Sequence, residues 1–236
     1  MISVVIPAYN EEHTISKCLD SLNKQKTSEK FEIIVVDNAS TDRTAEVLKN
    51  YKSQVPLKII YEPKKKRGQA RYTGFKNAIG ELIFSTDADA IVPEDWLEKM
   101  TRYFKDPRIV AVTSIARIND RSPFTNWLFN FLQPVFMILY RITAGYYWLN
   151  GFSFGIRRDI YFRAGEFDPR LNTAEDVDLS TRVKKLGKIK FTLGVPVVFS
   201  GRRFRNGIMK GLKEYAVGYL VYLFGQKDKA DLSDPR

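Results

Sequence analysis

The side chains best placed to do chemistry are two aspartates two residues apart, Asp87 and Asp89, in the segment ELIFSTDADAIVPEDW (81–96). The apolar run Leu82-Ile83-Phe84 leads into them, which predicts a strand that ends where the carboxylates begin. Carboxylates gathered in one turn repel each other, and a divalent cation relieves that repulsion through oxygen ligands. One histidine, His13, and one cysteine, Cys18, exclude a His-rich or Cys-based zinc centre and an internal disulfide framework. Any metal would therefore be oxygen-bound, which favours Mg²⁺ or Mn²⁺. The structural alternative is that one aspartate closes an Asx turn or caps a helix near Pro93. Cys18 falls at helical spacing with Ile15, Leu19 and Leu22, which predicts a buried core thiol.

Further polar residues sit where strands end. ISVVIPA (2–8) runs into Tyr9 and Glu11, and FEIIVVDNAS (31–40) runs into Asp37 and Asn38. LKIIYE (57–62), ELIFSTD (81–87) and RIVAVTS (108–114) read as further strands, with helix patterns between them at 11–25, 42–51, 68–79 and 93–105. Apolar runs alternating with helices predict a parallel sheet covered on both faces, with ligands beyond the carboxyl ends of its strands. The first hundred residues read as a nucleotide-binding α/β unit. Glu175-Asp176 would open a later helix, with Thr173 as its N-cap and an acid at N3. Asp178 and Arg182 are spaced as a helix-surface ion pair.

The chain has 236 residues, 44% of them hydrophobic and 28% charged, with a net charge of +11. Those proportions describe a globular protein, and the charge points to an anionic partner. Residues 124–154 hold 11 of the 31 aromatic residues, yet Asn130, Gln133, Pro134 and Arg141 interrupt the apolar text. The longest unbroken apolar run, Val135 to Tyr140, is six residues, against about 20 for a spanning helix. The segment is expected to be a core helix pair or an interfacial element using Trp127, Tyr140, Tyr146 and Trp148. Ile208, Leu212, Tyr215, Ala216, Tyr219, Leu220 and Leu223 share one face of a C-terminal helix that follows the basic GRRFR (201–205). That helix either packs on the domain or meets an anionic lipid surface. With no signal-peptide pattern at residue 1, a cytoplasmic location, peripheral to the membrane, is the expectation.

VVIPAYNEE, VVDNASTDRT (35–44), TDADA (86–90) and AEDVDLSTRVKKLG (174–187), in that order, together resemble the inverting nucleotide-sugar glycosyltransferases of the GT-A fold. That large family includes dolichyl-phosphate-sugar synthases and polysaccharide enzymes. NGFSFGIRRDIYFRAGEFDPRL (150–171) resembles the family's acceptor-side segment, and the likeness runs from residue 2 to about 200. It implies an α/β GT-A fold: a Rossmann-like, mostly parallel sheet flanked by helices, with aromatic-rich acceptor-side helices and a C-terminal amphipathic helix. Residues 1–115 would form the donor half, 116–200 the acceptor half of the same domain, and 201–236 the basic helix and tail.

By the same resemblance Pro7, Ala8, Tyr9, Glu11, Asp37, Asn38, Gly68, Arg71, Asp87 and Ala88 would bind the nucleotide. Asp87 and Asp89 would hold Mg²⁺ or Mn²⁺; it is open whether both do, or Asp89 alone with Asp87 reaching the ribose. Asp176, with Glu175 second, would be the general base. The family's Gly-x-x-x-Arg-Asn is met by Gly68 and Arg71, but Tyr72 replaces the Asn. Ser200 stands near a position where many relatives carry His, and the processive synthases' Gln-x-x-Arg-Trp is absent. Arg202, Arg203 and Arg205 could instead bind a diphosphate or lipid phosphate. Lys64 to Arg67 could serve the nucleotide or be a solvated loop.

The expected reaction moves a sugar from a UDP- or GDP-sugar to a glycan or lipid-linked acceptor, without a nucleic-acid partner. A sugar nucleotidyltransferase would show a basic Gly-rich loop where this chain has PAYNEEHT. A non-catalytic lipid- or nucleic-acid-binding module would leave the acidic motifs unexplained.

Overall fold

Strand β1 (Ile2–Ala8) lies at the heart of the molecule, and its alternate side chains feed two different cores. Val4 and Ile6 point to one face and Val5 to the other, as the two-residue period of a strand requires. β2 (Phe31–Asp37) repeats the pattern, with Ile33 and Val35 on one face and Ile34 and Val36 on the other. Helices cover both faces, which is why these strands read as unbroken apolar runs. The computed structural model describes residues 1–205, 207–211 and 213. The helical face expected at Leu212, Tyr215, Ala216, Tyr219, Leu220 and Leu223 lies outside the described residues, as does the tail.

The described residues form an eight-stranded sheet in the order β3-β2-β1-β4-β7-β6-β8-β5. β1 runs parallel to β2 and to β4 (Leu82–Ser85), and β3 (Leu57–Tyr61) runs parallel to β2. β7 (Phe154–Arg157) is antiparallel to both neighbours, β4 and β6 (Ile109–Arg117). β8 (Lys188–Phe199) runs parallel to β6, and the two-residue β5 (Ala90–Ile91) pairs with its end, Ala90 opposite Phe199. Parallel β1, β2 and β4 bring the residues after Ala8, Asp37 and Ser85 to one edge of the sheet. The expected donor and acceptor halves are thus interleaved in a single sheet.

On one face α1 (Ile15–Asn23) and α4 (Trp96–Thr101) supply Ile15, Leu19, Leu22, Trp96 and Met100, and Cys18 is buried among them as expected. On the other, Phe75 of α3 (Arg67–Lys76) meets Tyr161 of α6 (Arg158–Arg163) and Leu179 of α7 (Glu175–Val183). Pro93 stands ahead of α4, which starts at Trp96. α2 (Thr44–Asn50) flanks β2 and β3 in sequence.

The aromatic segment is one 22-residue helix, α5 (Pro123–Ala144), where a helix pair was one expectation. Ser122 caps it by accepting from the Thr125 N–H, Pro123 takes the first turn, and Gly145 ends it at φ 84°. The helix continues through Pro134, with Phe129 and Met137 buried. Most of its remaining apolar surface is open. No helix among the described residues is long and apolar enough to cross a membrane.

Candidate active site

A cleft of about 940 Å³ opens at the carboxyl edge of β1 and β4. Its walls are the loops after those strands, the start of α3, residues 148–152, the start of α7, Ser200 to Arg203, and one side of α5. Pro7, Ala8, Tyr9, Glu11, Asn38, Arg71, Asp87, Ala88, Asp89, Glu175, Asp176, Arg202 and Arg203 all line it. Asp37, Gly68 and Arg205 lie outside that lining.

Arg71, only 4% exposed, is the hub. Its Nη2 donates to Asp87 Oδ1 at 2.8 Å, its Nε to Glu175 Oε1 at 3.1 Å, and its Nη1 to the Gly151 carbonyl at 3.2 Å and to Ser85 Oγ. One guanidinium thereby joins the acidic turn after β4 to the acidic start of α7. Burial works against its charge, but Asp87, Glu175 and Asp176 together hold Arg71 more firmly protonated than usual. Arg71 was expected to contact the nucleotide; within the protein it organises carboxylates.

Gly151, which the motif reading passed over, is the second organiser. Its N–H donates to Asp176 Oδ2 at 3.0 Å while its carbonyl receives Arg71. A Cβ there would lie 2.5 Å from Arg71 Nη2, so only glycine lets the loop press this close. The Asn150-Gly151 pair was the available sequence signal, as a tight-turn dipeptide.

Asp176 Oδ1 also accepts from the Val177 N–H at 2.8 Å. Burial, followed by the neighbouring charge of Glu175, pushes its carboxyl up to about 7, against Arg71 and the two backbone donors. The expected N-cap, Thr173, stands one residue ahead of the cap position. Ala174 takes the cap position in the left-handed region at φ 59°, turning the chain so that Glu175 and Asp176 fall in the first turn of α7. Asp178 and Arg182 do pair, at 2.7 Å, although Asp178 is buried and not on a helix surface.

Arg202 organises the other acidic end. Its Nη1 and Nη2 grip Glu11 at 3.0 and 2.6 Å, and Nη2 lies 2.9 Å from Asp89 Oδ2. Burial pushes the Asp89 carboxyl up to about 7, with Arg202 opposing and the charges of Glu11 and Asp87 reinforcing the rise. The two aspartates of the motif thus turn to different arginines. No group of three or more His, Cys, Asp or Glu side chains among the described residues is arranged to hold an ion. Cys18 Sγ donates to the Asp87 carbonyl at 3.4 Å, tying the acidic turn to α1.

The remaining expected residues shape loops. Asp37 Oδ1 accepts from the Ser40 N–H at 3.1 Å. Asn38 donates to the carbonyls of Glu62 and Lys64 and accepts from the Lys66 N–H at 3.0 Å, pinning the basic loop to the sheet. That loop is not simply solvated: Lys65 donates to the Tyr9 hydroxyl at 2.6 Å, and Arg67 lines the cleft. A Cβ on Gly68 would sit 2.4 Å from the Asp168 carbonyl, so this glycine serves close backbone packing. Gln133, another residue missed, lines the cleft from α5, and its buried Oε1 has no hydrogen-bond partner among the described residues.

The curled, mostly parallel sheet and its carboxylate-lined cleft define a GT-A-type α/β fold. The same fold is found in a mannosyltransferase from Pyrobaculum calidifontis solved in complex with GDP-Man and Mn²⁺, at TM-score 0.74 and 24% identity, covering 95% of this chain and 63% of that one. S. aureus TarS 1-349 with UDP-GlcNAc aligns at TM-score 0.67 and 20% identity, over 84% of this chain and 58% of that one. The chain belongs to glycosyl transferase family 2, whose sequence profile matches residues 3–164. It is similar to a dolichol-phosphate mannosyltransferase of Pyrococcus furiosus, 32% identical over 129 residues, 54% of this chain and 36% of that protein. It is also similar to a poly(ribitol-phosphate) beta-glucosyltransferase of Bacillus spizizenii, 37% identical over 125 residues, 51% of this chain and 20% of that protein. The matches thus span well under half the length of these relatives.

Proposed function

We propose that the protein is a metal-dependent, inverting glycosyltransferase that moves a sugar from a nucleoside-diphosphate-sugar, UDP- or GDP-linked, to a lipid-linked acceptor at a membrane surface. The observation that carries this reading is the Arg71 hub, which holds donor-side Asp87 and the acidic start of α7 in one cleft. The mannosyltransferase neighbour solved with GDP-Man and Mn²⁺ supports it.

The residues fit a hard dication. Asp89 is a buried carboxylate already facing a cation, and the donor set at this end is oxygen alone. Asp87 and Asp89 would hold Mg²⁺ or Mn²⁺, with diphosphate oxygens completing the set, as is usual where few carboxylates serve such ions. The ion would act as a Lewis acid stabilising the diphosphate leaving group. Tyr9, Pro7 and Ala8 form the wall on which a base would lie. Asp176 takes the proton from the acceptor hydroxyl, oriented by the N–H groups of Gly151 and Val177. Its raised pKa lets the carboxyl both accept and release a proton near neutrality. Single displacement opposite the leaving group inverts the anomeric centre.

The acceptor end of the cleft is apolar. Phe129, Leu132, Phe136, Leu139 and Tyr140 of α5 line it, beside Gln133, whose buried Oε1 has no hydrogen-bond partner among the described residues. Beyond the cleft the same helix exposes Phe124, Trp127, Phe131, Ile138 and Ile142, with the Trp127 and Phe131 rings stacked at 5.9 Å. Apolar side chains of α5 both in the cleft and on its open face suit an acceptor with a hydrocarbon chain, and the +11 charge suits an anionic lipid surface.

UDP or GDP at 100 times its Kd, with Mn²⁺, is expected to stabilise the fold by about 2.7 kcal/mol in a thermal-shift assay. No turnover of UDP-, GDP- or dTDP-sugars by the folded protein would sink the transferase reading. Liposomes containing anionic lipid are expected to float the protein. The double substitution Trp127→Ser with Phe131→Ser removes two apolar anchors of about 1.5–3 kcal/mol each at full burial, so partitioning is expected to fall about 100-fold. Neither ring lines the cleft, so donor binding should not change. Equal flotation of the variant would remove α5 from the membrane contact.

A further inference from the structure

Between Glu11 and Asp89 the site already holds a cation, and it is a side chain. Arg202 contacts Glu11 through both terminal nitrogens, at 3.0 and 2.6 Å, and Asp89 at 2.9 Å. Arg202 is 19% exposed, and its partners Glu11 and Asp89 are 5% and 8% exposed. It is carried on the short 3₁₀ turn Gly201–Phe204 that follows β8. That turn is anchored to Asp120, which accepts from the Gly201 N–H at 2.9 Å and from Ser200 Oγ at 3.2 Å.

We propose that Arg202 is a built-in counter-cation: it holds Glu11 and Asp89 together in the donor-free site and gives up Asp89 when the donor's divalent ion arrives. The proposal rests on the metal-dependent reading above. A guanidinium and a dication cannot share the Asp89 carboxylate without strong mutual repulsion in so enclosed a place. Removing a cation from buried carboxylates without replacement is also costly, so the exchange must be concerted. The displaced guanidinium keeps its charge and needs an anion. A nucleoside diphosphate entering the same cleft brings one, and Arg binds phosphate oxygens bidentately. Metal and nucleotide should therefore assist each other's binding, because the ion alone must displace Arg202 with no anion to receive it. Arg202 acts here as a positioning residue that links the two ligands.

The test is direct Mn²⁺ titration, following the free-ion signal by electron paramagnetic resonance, without nucleotide and with saturating UDP or GDP. Wild type is compared with Arg202→Ala, Arg202→Gln and Arg202→Lys, with folding checked by circular dichroism. Arg202→Ala is expected to bind Mn²⁺ alone about tenfold more tightly than wild type, within the usual range of such couplings, and to show a correspondingly smaller enhancement by nucleotide. Arg202→Gln keeps a hydrogen-bond donor without the charge and should behave likewise, so a folding failure of the alanine variant does not remove the comparison. Arg202→Lys keeps the charge without the bidentate fork and should fall between wild type and Arg202→Ala. Nucleotide-assisted Mn²⁺ binding that is indifferent to residue 202 overturns this proposal alone. No Mn²⁺ binding by any of the proteins, with or without nucleotide, overturns both it and the metal-dependent reading.

Discussion

Replacing Asp176 by Asn is expected to lower kcat by about 10²–10⁴-fold, the usual contribution of a positioned general base. Donor affinity and fold should be retained, because an Asn oxygen can still accept from the Gly151 N–H that now meets the carboxylate at 3.0 Å. The wild-type rate should rise with pH through about 7, where the Asp176 carboxyl ionises, and the Asn variant should lose that limb. Stability has the opposite slope. The folded protein holds this proton more tightly than the unfolded chain, whose Asp titrates near the ordinary 3.8. The folded state therefore binds more protons between about 4 and 7, and this residue's contribution to stability falls as pH rises through that window. Asp176→Asn should flatten the fall. Steady-state kinetics across pH 5–9 and urea unfolding at two pH values check both slopes. A variant keeping more than about a tenth of wild-type kcat would remove Asp176 from the role of base.

Arg71→Met is expected to destabilise the protein by about 3–5 kcal/mol, the scale on which a buried ion pair is lost when one partner goes. Glu175, 6% exposed, would be left facing the gap with Asp87 nearby and no guanidinium between them. The double variant Arg71→Met with Glu175→Gln should recover part of that loss, since it removes the orphaned charge with its partner. Urea unfolding of the two singles and the double gives the coupling. A cost below about 1 kcal/mol, with no recovery in the double, would show that the hub holds nothing together. Because a domain's whole stability is about 5–15 kcal/mol, this single change could move the protein to the edge of folding.

β1, β2, β3, β4 and β6 were legible because each announced itself as an apolar run closed by a polar residue, whereas β5, β7 and β8 were not marked off in advance. Strand ends follow from that alone, so Glu11, Asp87 and Asp89 could be placed at one edge before any coordinates. The partners of those carboxylates could not. Asp87 and Asp89 carry no basic neighbour in sequence, and their arginines arrive from α3 and from beyond β8. Pairings of that kind are made by the sheet order, which no local pattern encodes. The cap position fell one residue later than read, at Ala174, for a local reason: a left-handed Ala is invisible in a sequence where Ala normally favours helix. Pro134 and the polar residues around it read as breaks in α5, yet the Ser122 cap and the Gly145 terminus define one helix across them. Gly68 was expected at the nucleotide, and Gly151 was not singled out. The first faces the backbone of residues 168–171 and the second faces the hub, a difference set wholly by tertiary approach.

The place of β7 has a consequence for how the chain is made. Among the described residues β6 finds its partners only in β7 and β8, and β7 is the strand that joins it to β4. As the nascent chain emerges from the ribosome, residues 109–117 therefore wait unpaired until residues 154–157 follow. Meanwhile β4 presents an open edge, the kind of surface that invites pairing with another chain. The ladder of Ala90 with Phe199 needs the last residue of β8, and Arg202, three residues further on, meets Glu11 and Asp89. A chain stopped short of residue 199 would thus have its acidic cluster without its arginine, and an unfinished sheet beneath it.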